Sequence, residues 1–306
     1  MAFVFPGQGS QSVGMLADMA ARSPIVGDTF ATASAALGYD LWTLCQDDPD
    51  GRLSKTEVTQ PALLTASIAL WRVWLDAGGA QPSLLAGHSL GEYSALVAAG
   101  ALELADAVTL VATRGRYMQE AVPAGSGGMA AVLGLDDDAV IAACESVGDG
   151  VVEAVNFNAP GQVVIAGDKA AVEAAIEACK AAGAKRALPL PVSVPSHCAL
   201  MQPAAARLAE TLAGIEISAP GIDIVNNVDV ARTRDPAAIR DALVRQLHSP
   251  VRWTETMQAF ASAGVSQIIE CGPGKVLGGL QKRIDRGVAT GFLETPAGLD
   301  AALEGA

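Results

Sequence analysis

A serine between two glycines is the strongest chemical signal in this sequence. Residues 87–91 are Gly-His-Ser-Leu-Gly; the apolar segment 83–87 predicts a strand, and the Ala-rich segment that follows predicts a helix ending at Gly100. Glycines on both sides let backbones approach closely in a strained strand-to-helix turn. Such a turn lifts the Ser89 hydroxyl to the helix N-terminus, where the dipole and free N–H groups favour a developing oxyanion. We therefore predict that Ser89 is a nucleophile rather than a small residue in a packed turn.

A serine nucleophile needs a base, and the chain has three histidines: His88, His197 and His248. His88 adjoins the serine, and neighbours on a turn point apart, so we expect it to support the turn. His248 follows a predicted helix and is typical of a solvated or C-terminal capping residue. His197 lies in a loop that leads back to the main body, so we predict that it is the base. Because no Asp is suitably placed, the pattern favours a Ser–His dyad whose imidazole is oriented by a backbone carbonyl or an amide.

One charged residue interrupts the apolar face of a predicted helix. Spacing of i, i+3 and i+4 defines a stripe made of Ala107, Leu110, Val111 and Met118. Arg114 falls within this stripe, whereas Arg116 faces elsewhere. A buried guanidinium needs an anionic partner because an unpaired buried charge is costly. The helix alone leaves two interpretations open, an internal ion pair or a bidentate clamp for a substrate carboxylate.

Two glycine-rich loops do not meet the requirements for phosphate binding. "PGQGSQ" (6–11) follows a short predicted strand at residues 2–5, but Ser12 breaks the dinucleotide fingerprint. Met15-Leu16 stands where a P-loop has Lys followed by Ser or Thr. "CGPGKVLGGL" (271–280) predicts a strand-end loop and the start of a helix, again without a full phosphate motif. The first loop could instead supply a backbone N–H to an oxyanion hole.

The composition is that of an acidic globular protein. The chain has 306 residues and a formal net charge of −13, which repels nucleic acid and anionic membranes. It has no apolar run of about 20 residues that would span a membrane, and "MAFVF" lacks the basic flank of a signal peptide. The five cysteines are scattered and form no CxxC motif, which favours reduced thiols. We expect a cytoplasmic, monomeric protein that binds no nucleic acid, membrane or metal.

Alternating strands and helices predict an α/β body whose mostly parallel sheet is covered on both faces. Pro61 is expected to open a buried helix. From residue 127 the order becomes β-α-β-β-α-β, which is the ferredoxin-like order. We predict a catalytic body formed by residues 1–126 and 196–306, with a ferredoxin-like subdomain at 127–195. The body is then predicted to continue with a helix at 199–213, a strand at 222–228, helices near 236–248 and 254–263, and a strand at 266–272.

Six segments carry a more specific signal than the serine motif alone. In chain order they are "FPGQGSQSVGM", "GHSLGEYSALVAAG", "RGRYMQEAVP", "NFNAPGQVVIAG", "VPSHCALM" and "CGPGKVLGGL". Together they resemble the malonyl-CoA:acyl carrier protein transacylases of bacterial fatty-acid synthesis, over essentially the whole chain. The resemblance implies a hydrolase-like α/β body with an inserted ferredoxin-like unit, in agreement with the strand order read from the residues.

The resemblance also implies a covalent mechanism. Ser89 would hold the malonyl group as an ester, and His197 would be the general base that later protonates the leaving thiol. Gln246, in "RQLHSPVRW", matches the position whose main chain orients the base. The reaction would be a ping-pong exchange from malonyl-CoA, which is a substrate, to the phosphopantetheine thiol of an acyl carrier protein. No cofactor is implied.

The remaining site residues follow from the same resemblance. The backbone N–H groups of Gln8 and Leu90 would form the oxyanion hole, and Arg114 would pair with the malonyl carboxylate. Val194-Pro195-Ser196, just before the base, resembles the malonyl-type version of this segment. An acidic carrier protein would need local positive charge on this chain. Two candidate groups are Lys185 with Arg186, and Lys275 with Lys282, Arg283 and Arg286.

Three alternatives share parts of this pattern. A polyketide-pathway acyltransferase would use the same dyad with a different acyl selectivity. A serine esterase or thioesterase would have the same turn and use water as acceptor, but its uncharged substrates would give Arg114 no carboxylate to match. A non-catalytic module that only docks the carrier protein would form no covalent adduct.

Overall fold

The computed structural model describes residues 1–192 and 194–305. Strands and helices alternate along most of the chain. The first part of the body contains β1 (Ala2–Phe5), α1 (Ala17–Arg22), α2 (Pro24–Leu37), α3 (Leu41–Asp47), α4 (Thr56–Asp76), β2 (Leu84–Gly87), α5 (Gly91–Ala98) and α6 (Leu104–Glu120). The middle part contains β3 (Gly127–Leu133), α7 (Asp137–Glu145), β4 (Val152–Ala159), β5 (Gln162–Asp168), α8 (Lys169–Ala181) and β6 (Arg186–Pro189).

The last part of the chain returns to the body. A short 3-10 turn at Ala199–Met201 precedes α9 (Gln202–Ala213), β7 (Asp223–Val225), α10 (Pro236–Gln246), α11 (Trp253–Ser262), β8 (Gln267–Glu270), α12 (Val276–Ile284), β9 (Ala289–Phe292) and α13 (Pro296–Glu304). Within the described residues, we find no helix whose length and apolar character would let it cross a membrane.

The body is built on a parallel sheet with the strand order β7-β2-β1-β8-β9 among the described residues. β1 and β2 run side by side in a register that pairs Phe5 with Gly87. Because the carboxyl ends of parallel strands meet at one edge of the sheet, the loop after β1 and the turn after β2 lie next to each other. This edge therefore collects the two segments that the sequence marks as an oxyanion loop and a nucleophile turn.

The buried helix predicted to begin at Pro61 begins earlier, at Thr56, so that prediction was wrong about its start. Pro61 lies inside α4, where it lacks only the N–H that would bond to Glu57. Its carbonyl still accepts a hydrogen bond, at 2.7 Å, from the Thr65 hydroxyl one turn later. α4 is buried nearly all round, as its apolar sequence predicts, and it packs closely against α6.

The second sheet is antiparallel, with the order β4-β5-β3-β6 in the described part of the chain. This is the ferredoxin-like arrangement predicted from the β-α-β-β-α-β pattern, and the predicted fold class is confirmed. α7 and α8 cover one face around a core that includes Ala130, Val163 and Ile176. On the opposite face, Met129 belongs to a smaller apolar cluster that also includes Cys198, from the loop that carries His197.

The edge strand β4 of the second sheet forms backbone hydrogen bonds with a segment of the body. The backbone N–H of Phe157 donates to the carbonyl of Val251 at 3.0 Å, and the N–H of Val251 donates to Val155 at 2.8 Å. These bonds occupy groups on β4 that would otherwise be a free edge. The segment directly after α10 is thus fixed to the subdomain.

Two other predicted elements differ in extent. The strand predicted at 222–228 is observed only at Asp223–Val225, because the chain leaves the sheet at Asn226 and Asn227. The helix predicted at 199–213 starts with a 3-10 turn, and its regular part starts at Gln202. β9 and α13 complete one edge of the body and were not predicted from the sequence.

Candidate active site

Two positions of the turn that carries Ser89 accept only glycine. A Cβ added at Gly87 would lie 1.8 Å from the backbone of Gly91, and one added at Gly91 would lie 2.0 Å from the carbonyl oxygen of Phe5. Only glycine fits both positions, as the predicted close approach of backbones requires. Ser89 itself adopts a left-handed conformation with φ +52°. This strained conformation presents its hydroxyl at the edge of the sheet, just before α5.

Ser89 and His197 meet although 108 positions separate them in the chain. Ser89 Oγ lies 2.7 Å from His197 Nε2, and the other ring nitrogen, Nδ1, lies 2.7 Å from the main-chain oxygen of Gln246. A carbonyl can only accept, so Nδ1 carries the hydrogen and donates it to Gln246. Nε2 is then free to accept the Ser89 proton, which is the tautomer a general base needs.

The environment of His197 keeps its imidazole neutral. Burial, together with the nearby Arg114 cation, lowers the pKa of His197 to about 3. The side chain is 2% exposed, and the residue has φ +70° in a loop whose N–H donates to Leu247. The imidazole therefore stays unprotonated throughout the neutral pH range, which leaves Nε2 available to accept the Ser89 proton during nucleophilic attack.

The depressed pKa predicts a pH-dependent contribution to stability. Between pH 6.5, the ordinary His value, and about 3, the unfolded chain binds more protons at this position than the folded chain. The free energy of unfolding therefore falls as the solution is acidified through that window, by about 1.4 kcal/mol per pH unit for one group. We expect His197→Gln to remove this part of the slope in urea unfolding measured from about pH 6 to about pH 4.

The comparison must be made as a difference between variant and parent, because the buried Glu92 shifts in the opposite direction. Burial raises the pKa of Glu92 to about 7, so its contribution to stability is lost as the pH rises. His248→Gln, at a partly exposed position after α10, is the matched control. Equal slopes for His197→Gln and the parent protein would contradict the prediction.

The two backbone groups predicted for an oxyanion hole lie at the same sheet edge. A Cβ on Gly7 would lie 2.6 Å from the carbonyl oxygen of His88, so the loop after β1 touches the serine turn directly. Gln8 and Leu90 both line the cavity that contains Ser89. Neither of their N–H groups has an acceptor among the residues that the structure describes. Two unpaired donors beside a nucleophile can hold a developing oxyanion.

Arg114 reaches the same point from α6. The apolar stripe around it is buried as predicted, and Arg114 is 1% exposed. Its Nη2 donates to Gln246 Oε1 at 3.0 Å and lies 3.5 Å from Ser89 Oγ, and the guanidinium carbon lies 5.4 Å from the centre of the Tyr93 ring. No carboxylate of the described chain lies within ion-pair distance, and Nε has no partner there. The internal ion pair considered from the sequence is therefore not formed, and the cation is left for an anionic ligand.

A cavity of about 350 Å³ contains these groups. The body contributes Gln8, Ser89 and Arg114, and the second sheet with its following loop contributes Met129 and Leu190. Its volume suits a small acyl group joined to an extended chain that reaches the surface. The bottom of the cavity therefore offers a nucleophile, a base, two N–H donors and a guanidinium.

Two buried polar residues hold the turn and were not predicted from the sequence. Asn227 accepts the Ser89 N–H at 2.7 Å through Oδ1 and donates to the carbonyl of Gly87 at 2.7 Å through Nδ2. Glu92 accepts from the Asn227 N–H at 3.0 Å and from Gln246 Nε2 at 2.9 Å. The signal for Glu92 was the same as for Arg114, a charge on an otherwise apolar helix. The signal for Asn227 was a polar pair ending a strand.

The other two histidines lie outside the reacting group. His88 Nε2 is 2.8 Å from Asn158 Oδ1, and its ring packs against Trp253, so it joins the serine turn to the second sheet. Burial lowers the pKa of His88. His248 follows α10 and does not line the cavity.

Comparison with known proteins adds the family context. The sequence pattern of the acyl transferase domain family matches residues 2–286. The malonyl CoA-acyl carrier protein transacylase of Salmonella typhimurium is 66% identical over 303 residues, covering 99% of this chain and 98% of that protein. A crystal structure of an acyl carrier protein S-malonyltransferase from Vibrio cholerae is 59% identical, with a TM-score of 0.96 over 98% of each chain. A malonyl-transacylase solved in complex with a type II PKS acyl-carrier protein is 58% identical, with a TM-score of 0.98 over 100% of this chain and 99% of that one.

Proposed function

Since the chain belongs to the acyl transferase domain family, and within it to the malonyl CoA-acyl carrier protein transacylases, we propose that it transfers the malonyl group of malonyl-CoA to the phosphopantetheine thiol of an acyl carrier protein for fatty-acid synthesis. The observation that carries the proposal is the unpaired Arg114 cation beside the Ser89–His197 pair. It matches an acyl group that ends in a carboxylate.

The first half of the reaction loads the enzyme. Ser89 Oγ attacks the thioester carbon of malonyl-CoA while its proton passes to His197 Nε2. The carbonyl oxygen becomes an oxyanion that accepts hydrogen bonds from the N–H groups of Gln8 and Leu90. When the C–S bond breaks, His197 gives the proton to the departing sulfur, leaving a malonyl ester on Ser89 and free coenzyme A.

The second half reverses these steps with another thiol. His197 takes the proton of the carrier's phosphopantetheine thiol, and the sulfur attacks the ester carbon. The C–O bond to Ser89 breaks, the proton returns to Oγ, and the malonyl group leaves as a thioester of the carrier. Through both halves the main-chain oxygen of Gln246 holds the imidazole in one tautomer. Arg114 holds the far carboxylate and so keeps the thioester carbon over Ser89.

The decisive experiment mixes the protein, malonyl-CoA and a phosphopantetheinylated carrier, and follows the malonyl group on each by intact mass. We expect a malonyl increment on the enzyme that moves to the carrier when the carrier is added. Hydrolysis without transfer would instead indicate a thioesterase, and an unchanged enzyme mass would indicate a module that only docks the carrier. Carriers from a fatty-acid and a type II polyketide pathway should be compared, because one relative was solved in complex with a carrier of the latter class.

The same assay, run with malonyl-CoA and methylmalonyl-CoA in competition, tests the acyl selectivity implied by Val194-Pro195-Ser196. Val194 and Ser196 line the cavity beside the base. We propose preference for malonyl, and we also propose that the enzyme works as a monomer without a cofactor. Size-exclusion chromatography with light scattering should therefore give the mass of a single chain. Activity should be fully retained after dialysis against a chelator.

We propose that the carrier docks on the exposed basic residues at either side of the cavity mouth. Arg186 on β6 precedes the cavity-lining Leu190 by four positions, and Gly274, next to Lys275, lies close to Ser10 in the loop after β1. Exposed apolar side chains accompany both cations, with Leu188 at 55% and Val276 at 50% exposure. Cations around an apolar spot suit an acidic partner that presents a small hydrophobic face.

Charge reversal separates docking from loading. We expect Arg186→Glu and Lys275→Glu each to raise the KM for the carrier by about two- to tenfold, because contacts at the rim of an interface contribute modestly. The rate of malonyl loading from malonyl-CoA should stay unchanged. Lys169→Glu, on α8 at the opposite face of the second sheet, is the control. Equal carrier KM values for all three variants and the parent would move the docking surface elsewhere.

A further inference from the structure

Arg114 is joined to a buried carboxylate through one side chain. Gln246 Oε1 accepts from Arg114 Nη2 at 3.0 Å, and Gln246 Nε2 donates to Glu92 Oε2 at 2.9 Å and to the Ser89 carbonyl at 3.1 Å. The amide therefore has one orientation, with its oxygen toward the cation and its nitrogen toward the carboxylate. Glu92 and Gln246 are 3% and 0% exposed. The Ser89–His197 pair thus lies beside a row of hydrogen bonds that runs from the Arg114 cation through Gln246 to the Glu92 carboxylate.

The charges that surround Glu92 make its protonation sensitive to a second carboxylate in the acyl site. The Arg114 cation on α6 lowers the pKa of Glu92, and the negative charge of Asp229, after β7, raises it. Asp229 is itself paired with Arg245 at 2.7 Å. Tyr93 on the same helix and His197 are neutral, since burial raises the pKa of Tyr93 to about 12 and lowers that of His197 to about 3. The Arg114 guanidinium therefore stabilises the Glu92 carboxylate through Gln246 without a direct ion pair, and it would pair directly with the malonyl carboxylate.

Glu92 also borders a second, small cavity, which Ser89 does not line. Its volume is about 10 Å³, close to the space of one water molecule. The polar residues that line it are Asn226 and the partly exposed Thr233, at the loop between β7 and α10. A single water there would connect the buried carboxylate with the surface without passing through the acyl cavity.

We propose that Glu92 is a positioning residue that balances the charge of the acyl site: it is an anion opposite Arg114 while the site is empty, and it takes up one proton from solvent when a malonyl carboxylate pairs with Arg114. The inference rests on the proposed function. The proton enters from water at the Glu92 side and leaves again when the malonyl group is transferred, so no proton is consumed in a full cycle. Two carboxylates that share one cation cannot both stay ionised without cost.

The ordinary titration of Glu92 fits this exchange. Burial raises its pKa to about 7, partly offset by hydrogen bonds from Asn227 and Gln246 and by the Arg114 cation. A group with this pKa changes protonation in response to one added charge nearby. A protonated Glu92 keeps its carbonyl oxygen as an acceptor for Gln246 Nε2, so the amide stays oriented and the guanidinium stays in place.

The test measures protons and mass on the same sample. Stoichiometric malonyl-CoA is added in weak buffer at about pH 8 with an indicator dye, and intact mass gives the malonyl-serine formed. Coenzyme A release is the same for the parent and Glu92→Gln, so their difference isolates Glu92. We expect the parent to take up about one more proton per malonyl-serine than the variant. Glu103→Gln, an exposed position at the start of α6, should match the parent.

Two results separate failure of the inference from failure of the proposed function. Malonyl-serine with equal proton uptake in parent and Glu92→Gln would overturn the role of Glu92. Absence of malonyl-serine in the parent would overturn the function itself. If Glu92→Gln does not fold, the parent alone decides: because the pKa of Glu92 in the empty site is about 7, its equilibrium for malonyl loading should fall by up to about fivefold from about pH 7 to about pH 8. Ionisation of coenzyme A would raise that equilibrium instead, so a flat or rising profile overturns the inference.

A purely structural Glu92 would not give these signatures. We expect kcat/KM for malonyl-CoA to decline above neutral pH in the parent and to stay level in Glu92→Gln. Loss of rigidity would lower the rate for malonyl-CoA and acetyl-CoA alike at every pH. The inference requires the ratio of malonyl to acetyl kcat/KM to rise in the variant at about pH 8, because malonyl entry no longer waits for a proton.

Discussion

Ser89→Ala should abolish both the malonyl increment on the enzyme and the transfer to the carrier. The hydroxyl oxygen lies 2.7 Å from His197 Nε2, and alanine leaves the base without a proton to take. Loss of a serine nucleophile from such a pair lowers kcat by about 10⁴-fold or more, with a residue of activity from binding and the oxyanion donors. Intact mass after malonyl-CoA and a carrier-transfer assay measure the two effects.

Ser94→Ala is the matched control for this variant. Ser94 lies on the same helix, α5, and its buried hydroxyl has no partner in the described part of the chain. Its removal should leave loading and transfer near the parent values. A malonyl increment that persists in Ser89→Ala would place the acyl group on another residue and contradict the mechanism.

Arg114→Ala should lose malonyl transfer selectively. The variant leaves the malonyl carboxylate buried in the cavity without a cation, and truncating one partner of a buried charge pair costs about 2–5 kcal/mol, or roughly 30- to 4,000-fold in kcat/KM. Transfer of an acetyl group, which has no carboxylate, should persist or rise. Parallel assays with malonyl-CoA and acetyl-CoA give the ratio that carries the prediction.

Arg116→Ala controls for the loss of a cation from α6, because Arg116 is exposed and its guanidinium carbon lies 5.6 Å from the centre of the Tyr117 ring. It should not change the ratio of malonyl to acetyl transfer. Since Arg114 also donates to Gln246, its loss can lower both rates through the catalytic pair. Equal losses with the two substrates would show that Arg114 only supports Gln246.

The sequence predicts the parts of the site that depend on local geometry. The glycines at 87 and 91 indicated a close approach, and the structure leaves no room for a side chain at either position. The spacing of Arg114 within its apolar stripe indicated a buried cation, which it is. Both signals come from one element at a time, so the period of a single helix or the needs of a single turn are enough.

The contacts between elements far apart in the chain could not be predicted from local sequence patterns. Gln246 follows from family resemblance as a main-chain acceptor, but its side-chain bonds to Arg114 and Glu92 join three helices. Asn227 braces the serine turn from 138 positions away. Pro61 indicated a helix start because proline fits the first turn, yet tertiary packing carries α4 five residues further back. Such long-range choices depend on packing, which local propensity does not encode.

The closed edge of β4 has a consequence for how relatives of this protein can diversify. The strand is sealed by the backbone of Val251, five positions after Gln246, whose main chain orients the imidazole. The subdomain therefore cannot be exchanged independently of the body. A subdomain taken from another relative would also have to pair with the 246–251 segment, because otherwise the His197 imidazole would lose its alignment. Substitutions at cavity-lining residues such as Met129 and Leu190 can change the shape of the acyl cavity while the backbone pairing between β4 and Val251 is kept. Acyl selectivity can thus change through single substitutions in the subdomain, whereas replacement of the whole subdomain endangers catalysis.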